Sequence, residues 1–317
     1  MRRTHLAKAI PSITILLVTV LSAQNMPPDL KPEFDFKWVV GIGSKGTSAA
    51  QFRQPQALSV DPEGCIYVCD TGNHRIQKFS HRGEFIVEIG GFGWEKEQFY
   101  QPTDIHARSG LDIFIADYQN QRVQRYDREL NYISSLKSHQ TWQEKLQFGL
   151  PLGIGFSNKR ELFIVDDENC RIIKFDSFGE PELYFGDFDA GQGRLKQPIQ
   201  IEVDQNNQVF VSDKSAGMIY VYDYFGNFIK SFGEKILSKP HGLFHDSGLL
   251  FVADIAKNQI VIFQTSGELI AICDKYINAP QPFIEPVDVV VFNNMLYVLD
   301  QETAIIHIIE IRRSSRN

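Results

Sequence analysis

The sequence predicts an all-β protein, a six-bladed β-propeller of four-stranded blades closed by its N-terminal strand. Three observations carry this. Pro55, Pro102, Pro151, Pro198, Pro240 and Pro286 recur at spacings of 47, 49, 47, 42 and 46 residues. Each is followed after 14 or 15 residues by an aspartate: Asp70, Asp117, Asp166, Asp213, Asp254 and Asp300. The residue types around each aspartate repeat too, and strand-forming repeats of roughly 40–50 residues are the signature of sheets arranged radially.

Taken in chain order, the first element is a targeting segment. Arg2, Arg3 and Lys8 form a positive n-region, and Ile13 to Leu21 form an uncharged apolar stretch ending at Ser22-Ala23. Nine residues are too few to span a bilayer as a helix and suit a signal-peptide core. Residues 1–23 are therefore expected to direct export, to a periplasmic or extracellular address, with no membrane span left after cleavage. The Arg2-Arg3 pair resembles a twin-arginine signal, but His5 stands where that motif prefers Phe. No Cys near the cleavage point offers a lipid anchor. Residues 24–33 are Pro-rich and predicted to be an extended tether, 34–312 the propeller, and 313–317 a polar tail.

Within each repeat, strand signals flank the aspartate. Three residues before it stands an aromatic (Tyr67, Phe114, Phe163, Phe210, Phe251, Tyr297), with apolar residues on either side, so this strand is predicted to be buried on both faces between neighbouring sheets. Six and nine residues after it come further apolar positions, such as Ile76 and Phe79, which mark the next strand. Gly83, Gly179, Gly226 and Gly267, thirteen residues past their aspartates, suit a hairpin that requires positive φ. A fourth strand follows, as in Phe85 to Ile89. The last repeat runs out near Ile311 after three strands, while Phe36 to Gly41 is a strand without a blade, so the N-terminal strand is expected to complete blade 6 and leave no lone edge at the seam.

Composition excludes several functions. Hydrophobic residues make up 43% and charged residues 22% of the 317, which describes a globular chain. The formal charge of −7, near −10 once the basic leader is removed, argues against nucleic acid, because phosphate binding needs a basic surface. Four cysteines form no disulfide framework: Cys65 and Cys69 lie four apart on one strand, about 13 Å by strand rise, beyond the roughly 7 Å bridging limit, and Cys170 and Cys273 fall in blades 3 and 5.

The turns Asp70-Thr71-Gly72-Asn73-His74-Arg75-Ile76, Asp117 with Asn120-Gln121-Arg122-Val123, and Asp166 with Asn169-Cys170-Arg171-Ile172 resemble the signature of NHL repeats. So does the apolar residue three before each proline: Phe52, Phe99, Phe148, Leu195, Leu237 and Phe283. Blades 4 to 6 depart from it, with Ala216, Lys257 and Thr303 in place of the Asn. The resemblance covers residues 34–312 and implies the propeller fold, in a family that includes scaffolds, RNA binders and a few enzymes.

The six aspartates are read as structural, each accepting hydrogen bonds from backbone N–H groups of its own turn. Arg75, Arg122 and Arg171 either brace these turns by pairing with neighbouring aspartates or form a basic arc for an anion or partner. On the propeller axis, the strands after each proline bring Asp104, His106, Gln200, Glu202, His241 and Asp288 forward as candidates for a polar channel. Pro240-His241-Gly242-Leu243 resembles a blade of peptidylglycine lyase, whose zinc is held by histidines. The equivalent positions are Gln56, Thr103, Leu152, Ile199 and Val287, one histidine where several ligands are required. No cofactor is therefore expected, with axial zinc or calcium as the alternative, in a metal-dependent lyase or hydrolase.

The loops leading into the blades share a face with the aspartate turns, and several are aromatic: Phe92, Trp94 and Tyr100 before blade 2, Trp142 before blade 3, Phe188 before blade 4. With Tyr118 they offer a surface for a protein, peptide or glycan partner. The sequence thus points to an exported, monomeric, non-catalytic binding propeller.

Overall fold

The computed structural model describes residues 33–314. The signal peptide expected over 1–23, all but the last residue of the 24–33 tether and the final three residues of the tail lie outside the described residues.

The first strand, β1 (Glu33–Ile42), belongs to no local hairpin. Blade 1 follows as β2 (Ala57–Val60), β3 (Ile66–Asp70), β4 (Arg75–Phe79) and β5 (Phe85–Gly90). Blade 2 is β6 (Pro102–His106), β7 (Asp112–Asp117), β8 (Arg122–Asp127) and β9 (Tyr132–Lys137), and blade 3 is β10 (Pro151–Phe156), β11 (Leu162–Asp166), β12 (Arg171–Phe175) and β13 (Pro181–Phe185). Blade 4 comprises β14 (Pro198–Val203), β15 (Val209–Asp213), β16 (Met218–Tyr222) and β17 (Phe228–Phe232), and blade 5 β18 (Pro240–Asp246), β19 (Leu249–Asp254), β20 (Gln259–Gln264) and β21 (Leu269–Cys273). The last sheet has β22 (Pro286–Phe292), β23 (Met295–Asp300) and β24 (Ile305–Ser314), with β1 antiparallel to β24 as its outer strand. The six four-stranded sheets and the closure by the N-terminal strand are as the sequence predicts.

The second strands of blades 1, 3 and 4 are buried at every position, as their two-sided apolar pattern requires, and those of blades 2, 5 and 6 are buried over most of their length. The core lies between blades. One cluster joins Tyr67 and Ile76 of blade 1 to Ile105 and Ile115 of blade 2, and another joins Phe163 and Ile172 of blade 3 to Val209 and Tyr222 of blade 4. A blade without its neighbours would leave both faces of its sheet wet, so the ring holds together as a unit.

Because neighbouring strands run antiparallel, the prolines of blades 2 to 6 pair with their aspartates, as Pro102 does with Asp117. Strand starts and aspartate turns thus share one end of the ring, the loop face, and the tight hairpins after the first and third strands share the other, the hairpin face. The residue four after each aspartate is left-handed in every blade: His74, Gln121, Cys170, Gly217, Asn258 and Ala304 have φ between 49° and 66°. Five of the six carry a Cβ, so the turn must be held against a local preference.

Candidate functional site

The aspartates hold those turns, but with partners other than the ones the sequence suggests. Each carboxylate reaches across to the loop leading into its own blade. Asp70 accepts from the Arg53 N–H at 2.7 Å, Asp117 from Tyr100 at 2.8 Å, and Asp166 from Gly149 at 3.0 Å. Asp254 accepts from Ser238 and Lys239, both at 2.9 Å. Bonds from the backbone of the aspartate's own turn occur only as additions, from Ala216 to Asp213 and Thr303 to Asp300. The reading of own-turn acceptors is corrected accordingly: the aspartate staples two loops together, and only the register of the first strand against the second brings them within reach.

Arg75, Arg122 and Arg171 pair with the aspartate of their own blade, not a neighbour's, at 2.7, 2.7 and 3.0 Å. They are buried, and their remaining donors go mainly to loop carbonyls, with Arg122 binding those of Trp94, Glu95 and Gln98 and Arg75 also pairing with Glu88 at 2.7 Å. With these donors turned inward, the alternative of an open basic arc is corrected to three internal braces.

The aromatic candidates divide. Phe92, Tyr100 and His74 form one cluster at the seam of blades 1 and 2, with ring centroids 5.0 to 5.7 Å apart. Trp94, on the same loop, is 68% exposed, and Phe188 is 73% exposed beneath the Arg194 guanidinium, 4.1 Å from its ring centre. Tyr118 donates its hydroxyl proton to Asp167 in the next blade's turn. Trp142 is half-buried, lying on Phe175 and donating its indole N–H to Glu180 at 3.2 Å. The structure therefore assigns Tyr118 and Trp142 contacts that tie elements together, and leaves Phe92, Trp94, Tyr100 and Phe188 turned outward.

Along the axis, the residues two after each proline alternate small and polar: Ala57, Asp104, Gly153, Gln200, Gly242, Asp288. Asp104 reaches over Gly153 to the Ile154 N–H at 2.6 Å and accepts from Gln200 Nε2 at 3.0 Å, while Asp288 reaches the Leu58 N–H at 2.8 Å. A Cβ at position 242 would stand 2.4 Å from the Asp288 carboxylate, which is why glycine is needed there. Irregular register between proline and strand frees these N–H groups from the ladder. His241 hydrogen-bonds the Val287 carbonyl through Nδ1 at 2.8 Å. These side chains surround a space of about 20 Å³, room for about one water.

His106 and Glu202 lie deeper. Arg108, from blade 2, crosses the axis to Glu202 of blade 4 at 3.0 Å, to the His245 carbonyl at 3.0 Å, and lies over the Phe244 ring of blade 5 at 4.3 Å. Of the six residues expected along a polar channel, Asp104, Gln200, His241 and Asp288 line this small axial space as an acid–amide layer, and Glu202 belongs to an arginine–glutamate tie below it. Burial pushes Asp104 up to about 6 and Glu202 up to about 7, and raises Asp288 well above the usual carboxylate range. It lowers His106 to about 3 and His241 to about 4. Among the described residues no three His, Cys, Asp or Glu side chains are grouped as metal ligands. All four cysteines are free.

Below the arginine–glutamate tie, the hairpin face opens into a cavity of about 510 Å³ lined by residues of blades 2 to 5, among them Arg108, Phe114, Arg125, Phe156, Arg160 and Asp246. Of its lining, the sequence reading names only His106, as an axial candidate, and Phe114, as a strand aromatic. One signal does mark it. Six residues after the proline, blades 1, 3 and 4 place a side chain that caps its own hairpin: Asp61, Ser157 and Asp204. Blade 2 places Arg108 there, and its hairpin is capped by Ser109 instead.

Comparison with known proteins agrees with this geometry. The NHL repeat model matches residues 52–79, the end of the leading loop and the first three strands of blade 1 with their aspartate turn. The chain is 28% identical over 127 residues to Protein brain tumor of Drosophila melanogaster and 26% identical over 136 residues to B-box type zinc finger protein ncl-1 of Caenorhabditis elegans. Those matches cover 39% and 41% of this chain but only 12% and 16% of the two relatives. Among solved structures, one from Bacteroides thetaiotaomicron aligns over 89% of this chain and 76% of its own at a TM-score of 0.67 and 13% identity. A catalytically inactive virginiamycin B lyase from Staphylococcus aureus with quinupristin aligns over 88% of this chain and 99% of its own at 0.60 and 12%. A chain of the nidogen/laminin complex aligns over 76% and 93% at 0.57 and 14%. At these identities the structural likeness speaks for the fold alone. The chain is a six-bladed β-propeller whose first blade matches the NHL repeat.

Proposed function

We propose that this is an exported, non-catalytic propeller that binds a protein or peptide partner through its loop face. The observation that carries it is the set of apolar rings held outward there: Trp94, Phe188 and Phe92 are 68%, 73% and 58% exposed. Phe92 and Trp94 sit on a loop pinned by the Asp117–Arg122 brace, and the Phe188 loop is pinned at its end by Asp213, so little loop entropy is lost when a partner covers them. Large aromatics on a pre-ordered surface are what binding hot spots are made of. One structural neighbour was solved within the nidogen/laminin complex, an assembly of proteins. Against a catalytic role, Asp104 and Asp288 are committed to backbone N–H groups and Glu202 to Arg108. Export rests on the basic and apolar halves of the leader, and the negative charge disfavours nucleic acid.

The test uses residues 24–317 immobilised and presented with the periplasmic or culture fraction of the native host. A partner recovered by the wild type is expected to fall at least tenfold with W94A/F188A and to stay with I86A, an exposed residue on the outer strand of blade 1. Equal recovery by the double variant would reject the loop face. N-terminal sequencing of the exported protein is expected to begin at Gln24.

A further inference from the structure

The cavity on the hairpin face belongs to neither the aspartate turns nor the outward aromatics, and its lining differs from both. On one wall Phe156 lies between His106 and Phe114, at centroid distances of 4.7 and 4.5 Å and with the rings tilted by 43° and 40°, and the Arg125 guanidinium lies 5.7 Å from the Phe114 ring centre. All three rings are part-exposed. Burial lowers His106 well below its ordinary range, so at neutral pH this wall is three uncharged rings.

The polar lining is balanced in a particular way. Arg108 is neutralised by Glu202, and Arg125 by Asp112 at 2.9 Å. Asp204 is taken up by the backbone of its own hairpin, accepting from Asn206 and Gln208 at 2.8 Å each. That leaves Arg160 and Asp246, neither of which has an ion-pair partner among the described residues, as a donor on blade 3 and an acceptor on blade 5. The Nε–H of Arg125 is buried and has no acceptor. A site for an anion would present donors alone, and a site for a cation acceptors alone. Donors and acceptors together beside apolar rings match a ligand whose groups both give and take hydrogen bonds around a body with apolar faces.

We propose that this cavity is a second binding site, for a neutral saccharide of two or three units. The C–H face of one sugar ring lies against Phe156, and its hydroxyls accept from Arg160 and donate to Asp246. A volume of about 510 Å³ falls within the usual range for small-ligand sites, roughly 300–1,000 Å³. The Arg108–Glu202 tie closes its floor, so the ligand enters from the hairpin face and does not pass along the axis. The site stands independently of the loop-face reading, since the two faces are at opposite ends of every strand.

Saturation-transfer NMR on residues 24–317 tests it, with maltotriose, cellotriose, mannotriose and tri-N-acetylchitotriose as probes, and trialanine and inorganic phosphate alongside. At least one trisaccharide is expected to bind, with its strongest signals on ring C–H protons. Its affinity should fall at least tenfold in R160A and in D246N, two exposed or edge positions whose replacement leaves the core intact, and should vanish in F156A. Partner capture by the loop face should be unchanged in all three variants. The proposal is overturned if no trisaccharide binds at millimolar concentration, if binding is indifferent to R160A and D246N, or if trialanine or phosphate binds in preference, which would make the cavity a peptide or anion site.

Discussion

Asp117 accepts four hydrogen bonds, from the Tyr100 N–H, Asn120, Arg122 and Gln124, and is wholly buried. Asp300 also accepts four, from the Ile284, Glu285 and Thr303 N–H groups and the Thr303 hydroxyl, but none of its donors is charged. Removing one carboxylate strands a buried guanidinium; removing the other strands only neutral donors. Asp117→Ala is therefore expected to destabilise the fold by about 3–5 kcal/mol, and Asp300→Ala by about 1–3 kcal/mol. Midpoints of urea unfolding at constant m-value check this, and equal losses would show that the Arg122 pair adds nothing. At this scale the sequence displayed the hardware and hid its wiring. The Asp–Asn–Arg spacing identified a rigid turn because those residues are local to it, whereas the Tyr100 N–H lies 17 residues upstream and meets Asp117 only through strand pairing.

Elements were legible where burial is two-sided. Strands such as β3 and β11 are apolar at every position before the closing aspartate because a sheet packs on each face, and a propeller made of such strands leaves the same imprint six times. The outer strands are only partly buried, as β5 and β17 are, and read less clearly. Closure was visible as a strand with no blade at one end and a blade lacking a strand at the other. β1 pairs with β24 from Glu33 to Ile42, buries Phe36 and Ile42, and exchanges backbone bonds with Ile277 at 3.0 and 2.8 Å. Deleting residues 33–42 exposes the full edge of β24, a template for pairing with other chains. The truncated protein is expected to lose more than about 4 kcal/mol of stability, at the exceptional end of single-site effects, and to elute as oligomers in size exclusion with light scattering. A monomer with an unchanged melting temperature would contradict the closure.

At the scale of the whole molecule, the axis is where blades far apart in sequence meet. Arg108 of blade 2 ties to Glu202 of blade 4, and Asp288 of blade 6 to the backbone of blade 1. Glu202 ordinarily titrates near 4.5 and is pushed up to about 7, chiefly by burial, with Arg108 opposing the shift and Asp104 adding to it. An acid that keeps its proton longer in the folded state contributes stability at low pH that is lost as pH rises from about 4.5 to about 7. His106 and His241 act in the opposite sense, since their lowered values cost stability as pH falls below about 6.5. The Glu202 contribution is isolated by difference. Relative to wild type, E202Q is expected to gain stability progressively between pH 5 and pH 7.5, followed by thermal melts across that range. A difference independent of pH would mean that Glu202 is ionised throughout.

The sequence by itself determined the ring: its six-fold repeat, its strands, its closure and the rigidity of its turns. All of these follow from periodic burial and local turn chemistry, which are written in consecutive residues. Only the tertiary structure decided what the irregular residues do. The aspartates bind the leading loops, the arginines turn inward, the axial polar residues form two layers, and a cavity opens on the hairpin face from residues of four different blades. The physical reason is that such contacts depend on which side chains of separate repeats converge near the axis. That convergence depends on how the blades are arranged around the ring, and no spacing along the chain records it.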